Sequence, residues 1–169
     1  MAFAEKVYTF SSSKTFNVSF DETGGYLGKP YIAASHLKVY VTNSLNETTD
    51  VTSDCTFDES GTPTTVTIGS STTLAAGDAV KIRRETPRKV ADRTVDFVDG
   101  STITEADLDK QMVHNLFINQ ENMDQNTRSL QTTEDGLAFN AAGKQISNLP
   151  GDPAAAGDAV SKAYFDANV

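Results

Sequence analysis

The stretch Leu37-Lys38-Val39-Tyr40-Val41-Thr42 alternates aliphatic residues with residues that carry a polar atom. A period of two places the aliphatic set on one face of a β-strand and the polar set on the other. Shorter segments repeat the pattern, with apolar side chains at Tyr8, Phe10, Phe16, Val18, Phe20, Val66, Ile68, Val80 and Ile82. Turn-forming Gly, Asn, Asp, Ser and Pro separate them. The pattern predicts a small antiparallel β-sandwich or barrel of about six to eight strands.

The apolar period changes after Gly100. Thr104 followed by Asp107 resembles a capping box with Asp in the Glu position, which predicts a helix start at about Glu105. No Gly or Pro occurs from there to about Leu130, so a helix of about seven turns is permitted.

Six residues of this helix follow intervals of three, four, three, four and three, the spacing of a coiled-coil heptad. We call them the heptad series: Val113, Leu116, Gln120, Met123, Thr127 and Leu130. They predict an oligomer interface in which polar Gln120 and Thr127 sacrifice stability for register. The alternative is one amphipathic helix lying on the sandwich. A second series, Asn115, Asn119, Asn122 and Asn126, predicts a hydrogen-bonding ladder at a symmetric interface or a solvated helix face.

The sequence therefore divides into three parts. Residues 1–100 are predicted to form a β-rich head, residues 101–132 an oligomerising helix, and residues 133–169 a small β/α module. The third part is rich in Gly, Ala, Asn and Pro from Gly136 onward, and Asp158 is suited to cap a short final helix.

Composition excludes several classes of function. A net charge of -9 and a pI near 4.6 disfavour a nucleic-acid partner. The single cysteine, Cys55, excludes an internal disulfide framework, and with two histidines it cannot form a zinc site of the usual kind. No secretory signal and no apolar run long enough to span a bilayer is present, so we expect a soluble protein without membrane contact.

Candidate chemistry is sparse. His36 and His114 are the only imidazoles, and a structural role is expected for both. Asp92, Asp96 and Asp99 form an acidic cluster that we interpret as surface. We therefore predict no catalytic residue, no metal site and no cofactor, hence no enzyme.

One region departs from the acidic composition. Six of the 14 basic residues lie within thirteen positions: Lys81, Arg83, Arg84, Arg88, Lys89 and Arg93. We call them the basic patch. It is either a solvated strand and loop or a docking surface whose arginines form bidentate pairs with carboxylates of a partner.

Several of these residues resemble the N-terminal domain of podovirus tail fibre proteins, the family that anchors fibres to the short tail of a bacteriophage. The likeness lies in Val7-Tyr8-Thr9, in residues 16–20, in Ile82-Arg83-Arg84, in residues 92–101 and in Ala106-Asp107-Leu108. A further likeness, in residues 136–149 and 158–164, is to a module recurrent in trimeric phage fibres.

The resemblance implies a virion protein of the tail, assembled in the bacterial cytoplasm as a homotrimer. Its heads would attach to the tail at the junction of the adaptor and nozzle ring proteins, with the basic patch helping to seat them. The heptad series would be the trimer interface, as a coiled coil. The expected fold is mainly β with helix: an antiparallel β-sandwich or barrel head, a long helix and a small C-terminal β/α fibre module.

Two alternatives remain open. Since the sequence ends at Val169 without a long shaft, the chain is either the ordered anchor part of a longer fibre or a short adaptor that holds a separate distal fibre or tailspike. A different class is a carbohydrate-binding or depolymerising β domain, with Tyr8, Tyr26, Tyr31 and Tyr40 as sugar platforms.

Overall fold

The computed structural model describes residues 3–20, 25–89, 95–96, 99–100, 102–127 and 129, together with the backbone of 131–132 and 139–140. The chain forms two compact units, Met1–Gln125 and Asn126–Val169. Almost the whole of the helix therefore clusters with the β-rich residues. The division at residues 1–100, 101–132 and 133–169 stays a prediction.

Seven strands of the first unit form two antiparallel sheets. They are β1 (Glu5–Thr9), β2 (Thr15–Asn17), β3 (Leu37–Thr42), β4 (Thr48–Asp50), β5 (Cys55–Asp58), β6 (Thr65–Ile68) and β7 (Ala79–Arg84). One sheet has the order β1-β7-β3-β4 and the other β2-β6-β5. We call the two sheets with their connecting loops the head.

The core of the head is apolar and comes from both sheets. In the four-stranded sheet, Val39 pairs with Ile82 and Val41 with Val80 across β3 and β7. Val66 and Ile68 of β6 belong to the same buried cluster. The period-two pattern of the sequence thus identified the buried face of these strands correctly, because a pleated strand sends alternate side chains to opposite faces.

Helix α1 spans Glu105–Asn126. Its start confirms the predicted capping box. The Asp107 amide donates to Thr104 Oγ1 at 3.2 Å, and Asp107 Oδ2 accepts from the Thr104 amide at 3.2 Å and its hydroxyl at 2.6 Å. The helix ends four residues before the predicted Leu130.

The described residues form mainly β structure with one α-helix and two short 3-10 helices, Ala34–His36 and Thr52–Asp54, so the predicted fold class of mainly β with helix is confirmed. In the second unit, β8 (Gln131–Thr132) and β9 (Phe139–Asn140) pair antiparallel, and most of the predicted C-terminal module lies outside the described residues. The coiled coil stays a prediction. No described helix is long and apolar enough to cross a membrane.

Helix α1 packs against the head through a polar face. Its buried side chains are His114, Phe117, Gln120, Glu121 and Asp124. They recur at helical spacing, so they form one stripe along the helix. The alternative interpretation of the sequence, a helix lying on the sandwich, agrees with this packing, although the face that it buries is mostly not apolar.

Candidate functional site

Arg84 is the centre of the contact between head and helix. It is the last residue of β7, and the strand period places it on the same face as Val80 and Ile82. Its side chain is only 1% exposed, and Cζ lies 3.7 Å from the centroid of the Phe117 ring. A guanidinium this close to an aromatic face makes a favourable cation–π contact that is stronger without water.

The guanidinium of Arg84 is hydrogen-bonded on several sides. Nε donates to Glu121 Oε1 at 3.1 Å, and Nη2 donates to Gln120 Oε1 at 2.7 Å. Nη1 donates to the carbonyl of Pro30 at 2.7 Å. The planar fork of arginine suits such a site because it directs several N–H donors at once.

Glu121 accepts from three residues at or just after the end of β7. Besides Arg84, the Thr86 amide donates to it at 2.9 Å and the Thr86 hydroxyl at 2.6 Å. Arg88 Nη2 lies 3.3 Å from Oε2 and remains half-exposed. A buried carboxylate is stable only when such donors replace its lost water.

Asp124 binds the start of the chain to the helix. Its carboxylate accepts from the amides of Phe3 at 3.1 Å and Ala4 at 2.7 Å. The carbonyl of Ala4 in turn accepts from the amide of Arg84 at 2.7 Å. We call Arg84, Thr86, Gln120, Glu121 and Asp124 the joint, since they connect the N-terminus, β7 and α1.

Two histidines lie beside the joint. His36 and His114 are both buried, and neither Nδ1 atom has a hydrogen-bond partner among the described residues. Burial, followed by the charge of His114, holds the pKa of His36 below its usual 6.5. His114 lies on the buried face of helix α1, and the charges of Glu121 and Arg84 act on His36. The structural role expected for both histidines stays a prediction.

The described residues of the basic patch do not lie on one surface. Arg84 faces inward, so the docking role predicted for it does not fit: its charge is already matched by Glu121. Lys81 and Arg83 point to the other face of β7 and are half-buried, while Arg88 and Lys89 are exposed. Arg93 lies outside the described residues.

The described residues of the heptad series do not lie on one face of helix α1. Leu116 and Met123 are exposed and Val113 is half-buried. Gln120 points towards Arg84, so it does not share a face with Leu116 and Met123. Thr127 is exposed, and Leu130 lies outside the described residues.

The tyrosines considered as sugar platforms mostly have other roles. Tyr31 is fully buried and its hydroxyl is hydrogen-bonded to Thr64. The Tyr40 hydroxyl donates to Glu85 at 2.8 Å, and burial together with this bond raises its pKa to about 12. Tyr31 is thus not available for stacking on a sugar.

The joint was not predicted from the sequence, although both the strand and the helix that form it carry a recognisable spacing of buried residues. Arg84 continues the buried register of Val80 and Ile82, and His114, Phe117, Glu121 and Asp124 recur at three, four and three. Charged residues at buried positions are rare, so an alternation that ends in arginine is normally interpreted as leaving the core.

The region that contains the joint matches a known protein family. Residues 1–141 match the family model described as phage T7 tail fibre protein, N-terminal domain. The chain belongs to this family. This tail fibre domain is accordingly a phage tail structural protein, a component of the virion tail.

A relative of this tail fibre domain is the capsule KN4-specific depolymerase of Klebsiella phage KN4-1. The two are 38% identical over 89 residues, which make up 53% of this chain and 10% of the relative. The match therefore covers only a small part of that longer protein.

Proposed function

We propose that this chain anchors a trimeric tail fibre to the short tail of a bacteriophage and carries no catalytic chemistry of its own. The head docks where the adaptor and nozzle ring proteins meet, and the helix begins the path towards the distal part of the fibre. Assembly takes place in the cytoplasm of the host bacterium.

The observation that supports this proposal is the joint, together with a family match that includes both head and helix. An anchor has to transmit force from the distal fibre to the tail without losing its orientation. A buried network of directional hydrogen bonds fixes one arrangement of helix and head, which an apolar contact alone specifies less strictly.

The docking surface in this proposal consists of Arg88 and Lys89, which are exposed, and Arg83, which is half-buried. Arg83, Arg88 and Lys89 surround an open depression that Glu121 and Gln125 also line. Positive side chains at the rim of an acidic protein steer an acidic partner to one site and exclude other orientations.

The test is loading onto tails that lack fibres. Lys89 is exposed, so Lys89→Glu should leave the fold intact while it reverses the charge at the docking surface. We expect lower occupancy on fibreless particles, counted by electron microscopy, and a steeper loss at higher salt for the wild-type chain.

Lys29→Glu is the matched control, because Lys29 is a partly exposed lysine remote in sequence whose ion pair is with Glu59. Equal loading by Lys89→Glu and Lys29→Glu would remove the basic patch from the proposal. Absence of loading by the wild-type chain would contradict the anchor function itself.

A second candidate is favoured by the relative, which is named as a capsule depolymerase. A carbohydrate-binding or depolymerising role predicts that the isolated chain binds or shortens capsular polysaccharide, measured by viscosity and reducing ends. We expect neither. The short-adaptor alternative predicts instead that a separate fibre or tailspike binds residues after the helix while the head is attached to the tail.

A further inference from the structure

Two buried imidazoles lie beside the joint without the partners that a charged imidazole needs. His36 is 8% exposed and His114 6%, and the Nδ1 atom of each has no hydrogen-bond partner among the described residues. A neutral imidazole tolerates this arrangement because one of its ring nitrogens carries no proton, whereas an imidazolium is a donor at both nitrogens. Protonation here would therefore bury a charge together with an N–H group that lacks an acceptor in the described part of the chain.

The surroundings of His36 are mostly positive. The ionisable groups that act on it most strongly lie on helix α1 and on β7: Lys110, His114, Glu121 and Arg84. Glu121 favours the charged imidazole, and the other three groups oppose it. The Glu121 carboxylate already accepts from Arg84 and from the amide and hydroxyl of Thr86. It therefore has little capacity left to stabilise a further buried cation.

A metal ion does not account for the two histidines. Within the described residues, no group of three or more His, Cys, Asp or Glu side chains is arranged to hold a metal ion. Two imidazoles alone fall short of the three or four protein ligands of a usual zinc site. What remains is the proton, because histidine changes its charge between about pH 5 and 8.

The contacts indicate which part of the molecule would move when His36 takes up a proton. The His36 amide donates to the carbonyl of Ala33 at 2.9 Å, and its carbonyl accepts from the amide of Glu85 at 2.7 Å, so the head holds its backbone. Helix α1 makes its backbone hydrogen bonds within itself and can leave as a unit. The core between the sheets consists of residues such as Val39 and Val66, which do not titrate.

We propose that the joint opens in acid: proton uptake at His36 releases helix α1 from the head while the two sheets stay folded. In the open state the imidazole of His36 regains water. Phe3 and Ala4, whose amides donate to Asp124 in the closed state, lose this carboxylate together with the helix. One consequence rests on the proposed anchor function: the orientation of the fibre would be fixed near neutral pH and free in acid.

The opening equilibrium depends on pH because the closed and the open joint bind protons differently. Burial, followed by the charge of His114, holds the pKa of His36 below 6.5 in the closed joint, whereas the open joint returns it towards its usual value. The joint is therefore closed above pH 6.5, and opening is favoured as the pH falls towards the folded pKa. A single proton changes this equilibrium by at most about 10-fold per pH unit.

Hydrogen exchange of the 169-residue chain at about pH 7.5 and about pH 5.5, corrected for the intrinsic exchange rates, tests the opening. Amides of helix α1 near Phe117 and the amide of Ala4 should lose protection by about 3-fold or more at the lower pH, within the roughly 10-fold that one proton allows. Amides of β3 and β7 should keep theirs. No loss in the helix, or an equal loss in helix and sheets, would overturn the inference.

A pair of matched variants assigns the effect to one imidazole. His36→Gln removes the titrating group, so helix exchange should no longer depend on pH. His114→Gln makes the same exchange on the other side of the contact and leaves His36 ionisable. Since it removes a neighbour whose charge opposes protonation of His36, the dependence should persist with a smaller amplitude. Full dependence in His36→Gln would refute the assignment.

A titration of the wild-type chain keeps the inference testable should His36→Gln not fold. The sequence has two histidines, so two sets of imidazole NMR signals are expected, and His114→Gln assigns them. His36 should titrate in the folded chain with a pKa below 6.5, and the helix amides should lose protection over the same pH range. Titration at the usual 6.5 without any change in the helix amides would overturn the inference.

These outcomes are distinguishable from the test of the proposed function, because they are measured on the chain without tails. A helix that stays docked at about pH 5.5 contradicts the acid opening and leaves the anchor function standing. Absence of loading onto fibreless particles contradicts the anchor function and leaves the acid opening of the joint standing.

Discussion

The core between the two sheets and the joint between head and helix are both buried, but their chemistry is opposite. The core consists of side chains such as Val39, Val66 and Ile82, and its contacts are non-directional. The joint consists of Arg84, Glu121 and their polar neighbours, each held by hydrogen bonds with defined donors and acceptors.

This difference separates stability from orientation. Apolar burial stabilises the head in proportion to area, about 25 cal/mol per Å², and accepts conservative exchanges. A buried ion pair gains little net stability because desolvation opposes attraction, yet breaking one half is costly. The apolar core between the sheets therefore stabilises the head. The joint determines which face of the helix remains outside.

The largest effect is expected from Glu121→Ala. It leaves Arg84 buried without its carboxylate and removes the acceptor of the Thr86 amide, so the free energy of unfolding should fall by about 3–5 kcal/mol. Urea denaturation followed by circular dichroism at fixed protein concentration measures the change. The control Gln125→Ala, exposed on the next helical turn, should cost less than about 0.5 kcal/mol. Similar costs for both would mean that the joint contributes nothing specific.

Two conservative exchanges contrast the regions directly. Arg84→Lys keeps the charge but loses the planar fork and should cost about 2–3 kcal/mol. Ile82→Val, two residues earlier on the same face of β7, should cost about 0.5–1.5 kcal/mol. The same denaturation experiment compares them, and a reversed order would refute the distinction drawn between core and joint.

A smaller effect is expected where the helix begins. Thr104→Ala removes the hydroxyl that bonds the Asp107 amide and carboxylate, and should cost about 1 kcal/mol. Hydrogen exchange should show faster opening of the first helical turn while the amides near Glu121 keep their protection. Loss of protection along the whole helix would show that the joint does not hold it independently of its cap.

The smallest effect is a pH dependence from His36. Its folded pKa lies below 6.5, so below pH 6.5 the unfolded chain takes up a proton that the folded chain resists. Stability is complete above pH 6.5 and declines as pH falls towards the folded pKa. The groups whose charges act on His36 are His114, Arg84 and Lys110, which lower its pKa, and Glu121, which raises it.

Denaturation from about pH 5.5 to about 7.5, above the range in which carboxylates titrate, isolates this contribution. His36→Gln should flatten the profile relative to wild type. An unchanged slope in that variant would show that His36 is not the source of the dependence.

The strands and the helix start were predictable because their signals are local. Alternation at residues 37–42 depends on the pleat of one strand, and Thr104 with Asp107 depends on the first turn of one helix. The heptad series mixed two faces of α1, since Gln120 faces Arg84 whereas Leu116 and Met123 are exposed. Sequence spacing alone does not tell which polar residue has a buried partner.

What the sequence by itself determined is the β-rich head, the position of the helix and, through resemblance, the family. These follow from periods, caps and motifs that act over a few neighbouring residues. Only the tertiary structure decided that Arg84 meets Glu121, 37 residues later, and that Met112 and Met123 are left outside. A charge can be buried only where distant chain segments bring its counter-charge and hydrogen-bond partners together, and that condition exists only in the folded molecule.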